Sequence, residues 1–169
     1  MSLSKYCLFM LLLLSTLGIQ AQEIKWMSWE EAVAANAKNP KKIFVDVYTD
    51  WCGWCKKMDQ TTVQDTAVVT IMNNKFYAIK LNAEQKETIH FKNYDFNWVA
   101  GGRSGNNELA TILLEGQMSF PTTVLLDSDF VRIAISPGYK LGDALIKELK
   151  FAAEGYYMTM DWQTYLSKS

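Results

Sequence analysis

The chain has 169 residues, 49% of them hydrophobic and 21% charged, and its 17 Lys+Arg against 18 Asp+Glu give a net charge of −1. A near-neutral surface with no basic run lacks the footprint of phosphate binding, so nucleic acid is excluded as an expected partner. The length suits one domain that buries its own core without covalent staples.

Residues 1–21 read as a secretory signal. Lys5 is the only charge, Leu8 to Leu14 is an unbroken apolar run, and Ser15 to Ala21 is a polar, small-residue exit, so cleavage is expected after Ala21. The apolar run is about half the ~20 residues that a spanning helix needs. The mature chain, residues 22–169, is therefore expected as a periplasmic or secreted domain with no stable membrane anchor. Cys7 lies ahead of the apolar run, badly placed for a lipid-acceptor cysteine, and is expected to leave with the signal; a lipoprotein is the alternative. Cleavage removes Lys5 and no acidic residue, which takes the charge to −2.

Ser28 followed by Glu31 forms a capping-box signature for a helix running to about Lys38, which Asn39-Pro40 stops. Ile43 to Tyr48 is a β-rich apolar run broken only by Asp46, as in a central strand buried on both faces. Thr49-Asp50-Trp51 then turns the chain toward Cys52. Apolar residues from Met58 to Met72 predict one long helix from Cys55 to about Asn73, with a kink near Thr61-Thr62. Phe76 to Asn82 is a second strand, parallel to the first through a right-handed crossover.

Thr88–Phe91 and Tyr94–Val99 predict an inserted hairpin around Lys92-Asn93, and Gly101 to Gly105 a flexible loop. Asn106 or Asn107 caps a helix from Glu108 to about Glu115, which Gly116 ends. Phe120 to Asp127 is a third strand, and Ser128-Asp129 turns it into an antiparallel return over Phe130–Ile135 that Ser136-Pro137 breaks. Leu141, Ala144, Leu145, Leu149 and Ala152 mark a last helix ending near Gly155. The aromatic tail, with Tyr156, Tyr157, Trp162 and Tyr165, is expected to dock on the body.

Trp51-Cys52-Gly53-Trp54-Cys55-Lys56-Lys57 carries the chemistry. Cysteines three apart at a helix entrance bring their sulfurs within bonding reach across one turn, and the free N–H groups there favour a thiolate. Cys52 is the expected nucleophile, exposed and with a pKa in a range of roughly 3.5–7.5. Cys55, deeper in the turn, is the resolving thiol. After signal removal these two have only each other. Zinc would need two more Cys or His ligands where the chain offers a single His90, and c-type haem would need a His at Lys56, so no metal or haem is expected. A purely structural disulfide would close too small a loop to stabilise much. His90 is expected as a surface residue of the hairpin.

With this dithiol on a βαβ unit and a Pro-led strand downstream, the chain resembles the thioredoxin-like superfamily over roughly Ile24 to Gly155. The carrying residues are Val45 to Met58, Lys80-Leu81-Asn82 and Phe120-Pro121-Thr122. Within the superfamily it is most similar to secreted, periplasm-type thioredoxins close to the C-terminal domain of transmembrane disulfide reductases. The resemblance implies an α/β fold, a three-layer α/β/α sandwich with a central mixed sheet, here carrying the inserted hairpin.

It also implies roles. Asp46 matches the buried aspartate that takes the proton of the resolving thiol, with Lys80 its partner; a satisfied structural pair is the alternative. Pro121 matches a cis-proline whose loop faces the dithiol and binds an extended substrate, with Phe120 shaping that groove. Gly53-Trp54 sets the redox poise, and the absence of proline at Trp54 leaves the direction of electron flow open. Trp51 and Trp54 are either a stacking platform or cover over the disulfide, Trp54 being the more exposed of the two. The expected protein is a monomeric thiol-disulfide oxidoreductase, a reductase of protein disulfides fed by a membrane-embedded donor, with no cofactor. The alternatives are a net oxidant or isomerase, and a binding module whose cysteines merely stay paired.

Overall fold

The computed structural model describes residues 23–101 and 104–169. The signal segment, and Gly102 and Arg103 of the expected loop, lie outside the described residues. Strands β1 (Trp26–Met27), β2 (Lys42–Tyr48), β3 (Phe76–Asn82), β8 (Thr122–Leu126) and β9 (Arg132–Pro137) form one mixed sheet in the order β1-β3-β2-β8-β9. β2 runs parallel to β3 and antiparallel to β8.

Helix α1 (Trp29–Lys38) begins in a complete capping box, with the Ser28 hydroxyl accepting from the Glu31 N–H at 3.1 Å and the Glu31 carboxylate accepting from the Ser28 N–H at 2.8 Å. Alternation along β2 then divides the core. Ile43, Val45 and Val47 pack toward α1 and helix α4 (Glu108–Leu113), while Phe44 packs toward helices α3 (Thr66–Lys75) and α5 (Gly142–Ala153). Asp46 shares parity with Phe44 and so lies on the α3/α5 side of the sheet.

The single long helix expected after Cys55 is two helices. Helix α2 (Gly53–Gln60) ends at Thr61, a 3-10 turn follows at Thr62–Gln64, and α3 starts afresh. The cause is Asp65, whose Oδ1 accepts from the N–H groups of Ala67 and Val68 at 2.8 and 3.1 Å and so makes a new N-terminus. Strand β1, on the sheet edge beside β3, has no counterpart in the expected elements; two residues are too few for an alternating pattern to show.

The inserted hairpin is present but shorter than expected, pairing β4 (Ile89–Phe91) with β5 (Tyr94–Phe96) around Lys92 at φ 55°. Trp98–Val99, expected to extend it, instead forms strand β6 in a second small ladder with β7 (Asn106–Asn107). Asn107 then caps α4, its side chain accepting from the Leu109 N–H at 3.0 Å. The β8–β9 connection runs from Asp127 to Val131, because Asp127 Oδ1 accepts from both the Asp129 and Val131 N–H groups. Pro137, expected to break the last strand, is its final residue; β9 is a sheet edge, where a missing N–H costs no ladder bond.

The tail docks. Helix α6 (Trp162–Leu166) sets Trp162 and Tyr165 against Phe151 of α5, each with ring centroids 5.2 Å away. No helix among the described residues is long and apolar enough to cross a membrane.

Candidate active site

Strand β2 delivers the chain to Cys52, the N-cap of α2, and the Cys52 N–H is fixed on the Thr49 carbonyl at 3.1 Å. Cys52 and Cys55 are joined in a disulfide with Cα atoms 5.3 Å apart. Cys52 Sγ also accepts from the Cys55 N–H at 3.1 Å. That hydrogen bond and the other free N–H groups of the first turn are the physical means of holding negative charge on this sulfur.

The expected exposure of Cys52 is corrected: it is only 5% exposed, and Cys55 2%. Its neighbours Trp51 and Trp54 carry the large exposed surface of the junction, at 66% and 63%. Trp51, expected more as cover, is thus as open as Trp54. Gly53 is not required by space, since a Cβ there would meet nothing within 4 Å.

The Phe120-Pro121 bond is cis and leads into β8. Its loop reaches the dithiol through Phe120, whose ring meets Trp51 edge-on at 5.9 Å. On the other side of the disulfide, Tyr139 packs against Trp54 at 5.4 Å, and the Gly138 N–H donates to the Pro121 carbonyl at 2.7 Å. Two aromatic pairs therefore flank the dithiol. Tyr139 was not singled out in the sequence, where it reads only as the end of a Ser-Pro-Gly break.

Asp46 stands directly opposite Lys80 in the β2–β3 register, and Lys80 Nζ donates to Asp46 Oδ2 at 2.7 Å. Lys80 also pairs with Asp59, one turn beyond Cys55 on α2. Asp59 drew no notice in the sequence, though its place four residues past Cys55 on a helix starting at the dithiol was the available signal. Asp46 is 1% exposed, and its Oδ1 is buried without a hydrogen-bond partner. Burial pushes its carboxyl above the usual range, against the opposing pull of the Lys80 charge. For Lys80, burial acts downward, but Asp46 and Asp59 outweigh it and its ammonium is held above the ordinary range.

The inserted segment touches this site. The Trp51 indole N–H donates to Glu84 Oε1, and the Ser104 hydroxyl donates to the same oxygen. His90, in the hairpin, is exposed and bonded to Asp95. Among the described residues no group of three or more His, Cys, Asp or Glu is arranged to hold a metal ion.

A mixed sheet with a CxxC disulfide at the strand-to-helix junction and a cis-proline loop beside it defines the class of thioredoxin-like thiol-disulfide oxidoreductases. The chain belongs to the Thioredox_DsbH family, described as a protein of unknown function (DUF255), whose family model matches residues 15–133. The solved structure called DsbH Oxidoreductase superposes with a TM-score of 0.55 at 20% identity, covering 81% of this chain and 89% of that one. A thioredoxin-fold protein from Helicobacter pylori gives 0.58 at 20% identity, over 77% and 80%. At these identities the likeness is one of fold.

Among curated relatives, an uncharacterized Caenorhabditis elegans protein is 30% identical over 83 residues, 48% of this chain and 11% of that protein. The thiol:disulfide interchange protein DsbD of Pseudoalteromonas atlantica is 42% identical over 45 residues, 27% of this chain and 7% of that protein. The chain thus spans about a tenth or less of the curated relatives it matches.

Proposed function

We propose that residues 22–169 form one thioredoxin-like domain, delivered to the periplasm or exterior by the leader that precedes it, and that it reduces protein disulfides. Cys52 thiolate attacks one sulfur of the substrate disulfide, forming a mixed disulfide and expelling the other sulfur as a thiolate. Cys55 then gives its proton to Asp46 and attacks Cys52 Sγ, breaking the mixed disulfide and releasing the second substrate sulfur. Two electrons pass from the Cys52/Cys55 dithiol to the substrate, and the Cys52–Cys55 disulfide is regenerated. A donor dithiol, membrane-embedded in this reading, restores the reduced pair by the same exchange in reverse.

The observation that carries this is Cys52 Sγ held on the Cys55 N–H at the start of α2, beside the cis Phe120-Pro121 loop. Asp46 supports the proton step: burial raises its pKa, so its carboxylate is a stronger proton acceptor than an ordinary one. Trp51, Trp54, Phe120 and Pro121 supply an aromatic and backbone surface for an extended segment on either side of the scissile disulfide. The partial match to a thiol:disulfide interchange protein supports exchange at the Cys52/Cys55 pair.

The test is insulin reduction by dithiothreitol, catalysed by the mature domain and by Cys52→Ala. Wild-type turbidity well above the variant supports the oxidoreductase; equal background rates would leave a binding module. The equilibrium potential against glutathione then decides direction, with a strongly oxidising value removing the reductase.

A further inference from the structure

Asp46 does not stand alone on its face of the sheet. In register across four strands lie Lys80 of β3, Asp46 of β2, Thr123 of β8 and Ser136 of β9. Residues directly opposite in paired strands point to the same side, so these four form one polar row through the otherwise apolar α3/α5 layer. The row continues into α5, where the Ser136 hydroxyl donates to Glu148 Oε1 at 2.6 Å. Glu148 and Ser136 also line a pocket of about 440 Å³ bounded by β9, α5 and the tail.

Beside this row lies Lys140, only 7% exposed, in the loop that also carries Tyr139. Its Nζ donates to the Ser136 and Gly138 carbonyls at 2.7 and 3.1 Å. An ammonium has three N–H donors, so one is left over. Two buried carboxylate oxygens in this neighbourhood have no partner: Asp46 Oδ1 and Glu148 Oε2. A buried lysine is costly unless opposite charge compensates it, and the acids whose charges act on Lys140 are Glu148 and Asp46.

We propose that Lys140 and Glu148, both hydrogen-bonded to Ser136 at the far end of this polar row, are positioning residues for the redox site that set the charge on Asp46 from the side opposite Lys80. The proposal rests on Asp46 serving the dithiol as its proton acceptor. The groups facing Asp46 are Lys80 from β3, Asp59 from α2, Lys140 from the loop after β9, and Tyr48 from its own strand. Lys140 in turn faces Glu148 of α5 and Asp46 of β2. Burial lowers the Lys140 ammonium and raises the Glu148 carboxyl, each tempered by the other's charge.

The test is the titration of the Asp46 carboxyl, followed by carbon NMR in the disulfide form of the mature domain. Lys140→Met removes a cation facing Asp46 and displaces its titration upward, by less than removal of the directly bonded Lys80 would. Lys140→Arg keeps the charge and returns the titration toward wild type. Glu148→Gln removes an anion from the other side of Lys140 and displaces Asp46 downward.

Opposite signs are what a loss of packing cannot produce. An unchanged Asp46 titration in folded Lys140→Met, or displacement of the same sign in Lys140→Met and Glu148→Gln, overturns the proposal. A shift in Lys140→Met alone removes Glu148 from it. Because the titration uses no substrate and no thiol, its failure is separate from a failure of the insulin assay.

Discussion

The Trp51 indole N–H donates to Glu84 Oε1 at 3.0 Å, tying an exposed ring at the rim of the dithiol to the first residues of the inserted segment. Glu84 is itself anchored, its N–H on Asn82 Oδ1 at 2.9 Å and its carboxylate accepting from Ser104. A ring as exposed as Trp51 would otherwise sample several rotamers, at a cost to any partner that must order it. Glu84→Ala is expected to raise KM for a protein disulfide by roughly two- to tenfold, the range of one net hydrogen bond. Its kcat stays near wild type, and steady-state kinetics of disulfide reduction in oxidised insulin checks the split.

Asp46 makes stability depend on pH. Its folded pKa lies above its unfolded value, so its contribution is fully present below the unfolded carboxyl range and is lost as pH rises through the folded pKa. Asp46→Asn is therefore expected to be more stable than wild type at neutral and alkaline pH, with the difference closing toward pH 4 and below. Each pH unit of upward shift corresponds to about 1.4 kcal/mol. Urea unfolding of both proteins from acid to alkaline pH measures the gap, and a constant gap would contradict the assignment.

Removing Lys80 strips Asp46 of its hydrogen-bonded cation and leaves a buried carboxylate uncompensated. Lys80→Met is expected to destabilise by about 3 kcal/mol at pH 7, the low end for a broken buried pair because the lysine retains some solvent contact. The double variant Lys80→Met/Asp46→Asn recovers most of that loss, since no buried charge is then orphaned. A double-mutant cycle by denaturant unfolding reads the coupling directly.

Asp65 separates the dithiol helix from the one that follows, and its cap is a local energetic contribution. Asp65→Ala is expected to cost about 1 kcal/mol. Its effect falls on α3, so insulin reduction should be near wild type while the thermal midpoint drops.

Much of the fold was legible because period and punctuation agreed: Ser28 with Glu31 at one helix start, Asn107 at another, and β-rich runs at β2 and β3. The expected kink near Thr61-Thr62 falls where α2 ends, but the fresh start at Asp65 was not legible, since the apolar residues Val63 and Val68 continue a plausible helical face on either side of it. The 3-10 turn is decided by a side chain competing for backbone N–H groups. Trp98–Val99 likewise alternates with the hairpin strands before it, and only the ladder with Asn106–Asn107 divides them.

In the candidate site, the local groups were readable: the cysteines, the carboxylate isolated in an apolar strand, the proline before a strand. What the sequence withheld were the long-range partners. Asp59, Tyr139, Lys140, Glu84 and Glu148 are ordinary surface-type residues until the fold brings them to Lys80, Ser136 or the tryptophans. The burial of Cys52 was hidden for the same reason, because it depends on tertiary neighbours that the local motif does not name.

The most direct measurement is the rate of alkylation of Cys52 against pH in the reduced mature domain, read by mass of the modified peptide. The account predicts a titration midpoint below about 7.5, with Cys55 reacting far more slowly across the range. A midpoint at or above about 8.5, the value of an unperturbed thiol, would contradict it.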